Sequence, residues 1–441
     1  MIEQKVSTVL NLKSISLQDR LLTRFLRYAA ITTQSNPAVR EVPSTPGQWE
    51  LARLLMKDME ELGVVDVSID EHAVVVGRLP ARLPKGHAPV PTVGWVTHMD
   101  TVDVNMSPDI HPVVIRNYQG GDICQNEEKQ IFISVDEHPE LLKYIGQDIV
   151  VSDGTSVLGA DDKAAVSNVV VALEILAEHP EVPHGEIYIC FVPDEETGLR
   201  GAKSMDFSRF PVDFAYTIDC CEQGELVYQT FNAGNGKLSI TGVTAHPMSS
   251  KNNTVNPILI AHDFMNLLDR GETPEHTEKT EGYIWVTGIQ GNQLNAVLNL
   301  NIRDHDREKY LAKKEYLKAC TEMMKLRHPK AKLSLELEDD YSNIKDAITP
   351  ENRKCVDLLF QAMHSLDIEP LDIAMRGGTD GSFISTKGIP TPNYFTGAHN
   401  FHSRCEFMPM GAVENSCRTT LKLIELITCF TERNRDRDSG L

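Results

Sequence analysis

Residues 186–198 read EIYICFVPDEETG: an apolar run, then Pro193, then Asp194, Glu195 and Glu196, closed by Gly198. The run is short and rich in β-branched and aromatic residues, as a buried strand is, and Pro193 stops it. Three successive acids at the end of such a strand are costly unless positive charge sits beside them. The same grammar recurs along the first half of the chain. Residues 92–97 (TVGWVT) form a short β-rich run ending at His98, and residues 214–218 form another ending at Asp219. Between them, residues 166–177 place Val166, Val169, Val170, Leu173, Leu176 and Ala177 on one helical face. Strands and helices in alternation predict an α/β domain with a largely parallel sheet. In open α/β sheets, ligands bind beyond the carboxyl ends of the strands, and that is where these acids and histidines fall.

The middle of the chain has a different rhythm. Residues 237–241 read as a strand, 256–268 as a helix, and 282–290 and 296–302 as two strands in succession. A charged amphipathic helix over 307–327 and an alternating strand over 331–337 follow. The order βαββαβ is that of a ferredoxin-like module. After Tyr341 the helix–strand pattern returns, and a helix over 412–431 closes the chain. The expected architecture is an α/β catalytic domain, residues 1–226 and 341–441, with a small α+β domain, 227–340, inserted into it. A length of 441 residues agrees, being too great for one core.

Composition excludes several classes. Lys and Arg number 43 against 63 Asp and Glu, a formal charge of −20. That argues against nucleic acid and against an anionic membrane surface as partners. No eighteen apolar residues run together, and residues 1–20 lack the apolar core of a signal peptide. Nine cysteines, an odd number without CxxC, suit a reducing compartment. A cytoplasmic location is the expectation. No GxGxxG or GxxxxGK[ST] follows any strand, which removes the common nucleotide-binding readings.

The chemistry lies in five short stretches. In Thr97-His98-Met99-Asp100, residues two apart share a side of an extended chain. Asp100 is therefore placed to hold the His98 imidazole, although a surface His beside an Asp reads the same way. In Leu158-Gly159-Ala160-Asp161-Asp162-Lys163, one carboxylate serves a helix N-cap and the second is one more than a cap needs. Asp161 is then free to bridge two cations while Asp162 stays near the helix start. In 193–198, Glu196 suits metal binding and Glu195 suits taking a proton from water; a solvated acidic loop is the plainer alternative. Asp219 and His402 complete the set. Two histidines and three acids satisfy a pair of zinc ions, which together activate a water.

These stretches, HxD, GADDK, PDEETG, a strand-ending Asp and HNFHSRCEF, resemble the di-zinc exopeptidases related to carboxypeptidase G. Segments 118–123 (YQGGDI), 145–165, 224–233, 273–283, 302–307 (IRDHDR) and 376–382 (RGGTDGS) extend the likeness to nearly the whole chain. The resemblance implies an aminopeptidase acting on tripeptides with two divalent cations, zinc being the expected metal, by attack of a hydroxide shared between them. It implies that His98 and Asp219 bind one cation, Glu196 and His402 the other, and that Asp161 bridges them. Asp100 would orient His98, Glu195 would be the general base, and His246, in the inserted lid domain, would help stabilise the oxyanion. Arg376, and less directly Arg303, would meet the substrate carboxylate. The inserted domain would also mediate a homodimer.

This sequence departs from the family pattern at Ala165, where glycine is usual, and at His399 and Cys405 in the late motif. It departs again in Pro-Met-Ser-Ser-Lys-Asn-Asn after His246, which bears on the shape of the lid loop. His399 competes with His402 as a ligand on composition alone; motif position favours His402. The same set of ligands also serves dipeptidases, carboxypeptidases and N-acyl amino acid amidohydrolases, because the chemistry at the carbonyl is shared. A catalytically silent peptide-binding protein is the alternative of a different class. Every ligand and Glu195 are present, which argues against it.

Overall fold

The computed structural model describes residues 15–429. Residues 1–14, and the last two positions of the helix expected over 412–431, lie outside them. The chain divides into two compact units. One comprises residues up to Val227, Thr349–Ile373 and Thr379 onward; the other comprises Tyr228–Ile348 and Ala374–Gly378.

The first unit is built on an eight-stranded sheet. Its spatial order is Val65–Ile69, Val75–Leu79, Ile187–Val192, Val93–His98, Phe214–Cys220, Asn393–Phe395, Glu225–Gln229, Leu371–Ala374. The sheet is mixed rather than largely parallel. The central four strands run parallel, and pairing turns antiparallel at Val75–Leu79 on one side and at Glu225–Gln229 on the other. The sequence-level expectation came from the central βαβ segments. Val65–Ile69 and Val75–Leu79 are joined by so short a link that they must pair as a hairpin.

Both faces of the sheet are covered. On one, Trp95, Tyr216 and Tyr394 pack ring on ring, and Trp95 Nε1 donates to Tyr394 Oη at 3.1 Å. Helices Gln18–Ala29, Ala160–Glu178 and Met410–Cys429 pack against one another there. The helix Ala160–Glu178 is therefore buried nearly all round, not on the single stripe its apolar spacing suggested. On the other face Val96, Ala215, Phe210 and Ile384 form a second core. Gly94 is required there: a Cβ would stand 2.2 Å from Phe210 Cζ. Truncating Trp95, which is 1% exposed, would cost about 3–5 kcal/mol by the cavity it leaves.

The second unit holds a four-stranded antiparallel sheet ordered Tyr283–Gly291, Asn295–Asp304, Asn232–Thr241, Lys332–Tyr341. Helices Pro257–Met265 and Arg307–Arg327 complete a β-α-β-β-α-β chain order. Burial alternates along Asn295–Asp304, so Leu298, Leu300 and Ile302 reach the core with Ile260, Phe264, Leu317 and Met324. Each helix starts on a side-chain cap: Asn256 accepts from Ile258 N at 3.0 Å and Asp306 from Lys309 N at 2.9 Å. Among the described residues no helix is long and apolar enough to cross a membrane. The nine cysteines are all free thiols.

Candidate metal centre

The acids and histidines of the first unit converge past the ends of its central strands. His98 closes Val93–His98, and Glu195 and Glu196 follow Ile187–Val192. Asp219 lies within Phe214–Cys220 rather than beyond it, its N–H donating to Asn393 Oδ1 at 2.7 Å. Asp161 stands where Ala160–Glu178 begins, and Asp161 and Asp162 both have non-helical φ/ψ. His402 occupies a loop closed by His399 N to Phe407 O at 2.9 Å and Phe407 N to His399 O at 3.2 Å.

Asp161 sits between two imidazoles. Its Oδ1 is 2.9 Å from His98 Nε2 and its Oδ2 is 3.1 Å from His402 Nε2. His402 Nε2 also approaches Glu196 Oε1 at 2.9 Å, yet that oxygen has no aligned hydrogen-bond donor among the described residues. One donor atom each from His98, Asp161, Asp162 and Asp219 lies within 4.8 Å of all the others. The same holds for Asp161, Glu196 and His402, and for His98, Glu195 and Glu196.

Electrostatics follows from this crowding. Burial, reinforced by the charges of Asp219 and Asp161, drives the Asp162 carboxyl well above its usual range. Asp219 rises for the same reasons, burial first and then Asp161. Burial and Asp161 push Glu196 up to about 7. Burial, with Asp219, Asp380 and Glu196 around it, holds Glu195 well above the ordinary carboxylate range. His402 rises too, to about 11, because its hydrogen bond to Asp161 and the neighbouring Glu196 carboxylate favour its charged form. So many buried acids in one place require compensating positive charge. Carboxylate oxygens with imidazole nitrogens are the donors a pair of zinc-like cations takes, and Asp162 Oδ1 and Glu196 Oε1, buried without hydrogen-bond donors among the described residues, fit that demand.

Asp100 has a second task beyond the one expected of it. His98 Nδ1 is 3.2 Å from the Asp100 backbone carbonyl and 3.4 Å from its Oδ1. The Asp100 carboxylate meanwhile accepts the backbone N–H of Glu195 at 2.9 Å and of Glu196 at 3.2 Å. Asp194 faces away from the cluster: Ser44 N, Ser44 Oγ and Gln48 Nε2 donate to it at 2.6, 2.5 and 2.8 Å. His399 is buried, stacked on Phe407 with ring centroids 4.7 Å apart, and its Nε2 meets Tyr144 Oη at 2.6 Å.

Three residues escaped the sequence reading. Asp162 stays in the first turn of the helix, as expected, but its carboxylate does not cap it; it accepts the His98 backbone N–H at 3.2 Å. Asp380 is 2% exposed, and neither carboxylate oxygen has a hydrogen-bond donor among the described residues; burial pushes it to about 7. Glu406 is 1% exposed and accepts three backbone N–H groups from residues 158–161. An acid in Gly-Gly-Thr-Asp or in Arg-Cys-Glu-Phe has no spacing that distinguishes it from a surface acid.

Two expected residues fall in the second unit with their guanidinium groups engaged locally. Arg376 donates to Glu281 O at 2.8 Å, Lys279 O at 3.2 Å and Thr277 Oγ1 at 2.7 Å, and lies over the rings of Phe231 and Tyr283. Arg303 donates to Gly234 O and Ile302 O at 2.9 and 3.0 Å. His246, also in that unit, is exposed and accepts from Met248 N at 3.2 Å.

Residues 158–426 match the family model described as peptidase family M20/M25/M40. A peptidase T-like protein of Yersinia pestis is 49% identical over 407 residues, 92% of this chain and 97% of its own length. A peptidase T of Clostridium botulinum is 42% identical over 406 residues, 92% and 98% of the two chains. The solved structure of a tripeptidase from Staphylococcus aureus superposes with a TM-score of 0.72 at 23% identity, covering 94% of this chain and 99% of the other. Fold, donor set and these likenesses define a hydrolase of the metal-dependent exopeptidase class. The chain belongs to peptidase family M20/M25/M40, on the branch that holds the peptidase T proteins.

Proposed function

We propose that this chain releases the N-terminal residue of tripeptides, using two divalent cations of which zinc is the expected identity. The observation that carries the reading is Asp161, addressed by His98 on one carboxylate oxygen and by His402 on the other. A carboxylate so placed would be shared between two cations, His98 and Asp219 being the residues that would hold one and Glu196 and His402 those that would hold the other. Cations held by these residues would polarise a scissile carbonyl and acidify a water. Glu195, whose surroundings raise its proton affinity, takes the proton from that water and delivers it to the leaving amine. Asp100 keeps Glu195 and Glu196 in place through their backbone N–H groups and holds His98 in orientation.

The names of the relatives, peptidase T and tripeptidase, support the choice of substrate. In this reading residues 1–226 and 341–441 form the catalytic domain, and the ferredoxin-like module 227–340 is its lid and the surface of a homodimer. His246 stabilises the developing oxyanion. Arg376 or Arg303 meets the carboxylate of the peptide by exchanging one of its local acceptors. The enzyme works in the cytoplasm on short peptides, without nucleic acid or membrane.

The test is cleavage of a free tripeptide beside its N-acetylated and C-amidated forms, with and without a chelator, products identified by mass. Chelator-sensitive release of the N-terminal residue from the free tripeptide is the expected result. Cleavage of the acetylated peptide, or release from the other end, would replace the aminopeptidase by an amidohydrolase, dipeptidase or carboxypeptidase. No cleavage of any form with metal bound would revive the silent reading.

A further inference from the structure

The helix Ala160–Glu178 starts without a cap of its own. Gly159, at the N-cap, has no side chain, and it adopts φ +69°. Neither Asp161 nor Asp162 turns back to the free N–H groups of the first turn: Asp161 faces His98 and His402, and Asp162 takes the His98 N–H. The Asp161 N–H, and those of Leu158 and Gly159 just ahead of the helix, go instead to a residue more than two hundred positions away. Glu406 Oε2 accepts from Leu158 N at 2.7 Å and Gly159 N at 2.9 Å, and Glu406 Oε1 accepts from Asp161 N at 3.1 Å. A carboxylate at a helix N-terminus is favoured by the unpaired donors and by the helix dipole.

Glu406 also belongs to the loop that carries His402. That loop is closed at its base by the His399–Phe407 backbone pair, and Glu406 N donates to Ser403 O at 3.2 Å inside it. Strand Phe407–Pro409 then pairs with Ile149–Ser152, with Phe407 opposite Val151. Glu406 therefore ties the segment bearing Asp161 to the segment bearing His402 through one fully buried side chain.

We infer that Glu406 is a positioning residue for the cation pair: by capping the 158–161 segment from the His402 loop, it leaves both oxygens of Asp161 free to serve as ligands and holds Asp161 in register with His402. The inference rests on the reading of Asp161 and His402 as ligands. Glu406→Gln separates the parts. An amide oxygen can still accept from Leu158 and Gly159, but the amide NH₂ would oppose the Asp161 N–H. Aspartate keeps two acceptors at shorter reach. Glu414 is the control: it is also a buried carboxylate, accepting from Leu17 N at 3.0 Å and Gln18 Nε2 at 2.8 Å, away from residues 158–161.

The experiment measures zinc affinity by competition with a chelator, kcat and KM at saturating zinc, and amide hydrogen exchange at 158–161. These are compared for the full-length wild type, Glu406→Gln, Glu406→Asp and Glu414→Gln. Loss of an outer carboxylate lowers metal affinity by about 10–100-fold. The expected pattern is such a loss in Glu406→Gln with faster exchange at 158–161, lower kcat and unchanged KM. Glu406→Asp should recover part of it, and Glu414→Gln should lose thermal stability at wild-type zinc affinity. Wild-type zinc affinity and kcat in Glu406→Gln would overturn the positioning role. An equal loss of zinc affinity in Glu414→Gln would overturn it too, by making the effect one of general stability. Failure of the wild type to bind zinc would instead overturn the two-cation reading itself, and the exchange rates would still report whether Glu406 caps the segment.

Discussion

Asp100 accepts the backbone N–H of Glu195 at 2.9 Å, so the residue two positions beyond His98 also holds the next strand's loop in place. One buried carboxylate thus links the end of Val93–His98 to the end of Ile187–Val192, neighbours in the sheet. Replacing it with Asn turns an acceptor into a donor against Glu195 N or Glu196 N. Asp100→Asn should lower kcat by about 10–100-fold, with a fall in zinc affinity of similar order. Steady-state kinetics and bound zinc after dialysis check this; full activity in Asp100→Asn would show that the clamp is dispensable.

Glu195→Gln removes a proton carrier and leaves a group of the same size. Turnover should fall by about 10²–10⁴-fold, the usual share of general acid–base catalysis, with zinc content unchanged. Near-normal turnover would move the base elsewhere. His246→Ala should lower kcat by about 10²–10³-fold, as loss of an oxyanion donor does, again at unchanged zinc content. If zinc is lost from that variant, His246 is a ligand instead.

The fold should be acid-sensitive at His399. Burial lowers this imidazole to about 4. Its unfolded value is about 6.5, so between these values the unfolded chain binds the proton that the folded chain refuses. Stability is then complete above pH 6.5 and falls as pH drops toward 4, by about 2 kcal/mol at pH 5. His399→Phe keeps the stack on Phe407 and removes the titration. Urea unfolding at pH 7.5 and pH 5 should show a smaller acid loss in this variant, with its zinc content intact. An acid loss equal to that of the wild type would place the sensitivity in other groups.

Metal removal should cost stability as well as activity. The buried acids around Asp161 repel one another, and cations that bind only the folded chain stabilise it by mass action. Zinc at a hundred times its Kd adds about 2.7 kcal/mol. The Tm of the chelated enzyme should rise on adding zinc and keep rising with its concentration. A Tm indifferent to zinc would mean that the cluster holds no cation.

Much of the site was legible because its residues obey local rules. His98 and Glu196 follow short apolar runs, where a side chain in an α/β sheet faces the ligand edge. Asp162, Asp380 and Glu406 were not legible, since each is defined by what packs over it. Asp162 reads only as an acid near the helix start, and the carboxylate that takes the N–H groups of Leu158, Gly159 and Asp161 is Glu406, far along the chain. His399 competed with His402 on composition, and only the stack on Phe407 and the bond to Tyr144 separate them. The antiparallel flanks of the sheet were missed because strand direction depends on how the chain returns, not on apolar pattern alone.

Periodicity and punctuation along the chain therefore suffice for the α/β and βαββαβ segments and for most acids and histidines at strand ends. These are short-range properties, set by backbone sterics and by the free energy of burying one face of each element. Which acid caps, which clamps and which is left for a cation depends on groups far apart in sequence. That is decided only when folding strips water from them together, and each buried polar group must take the partner the packed interior leaves within reach.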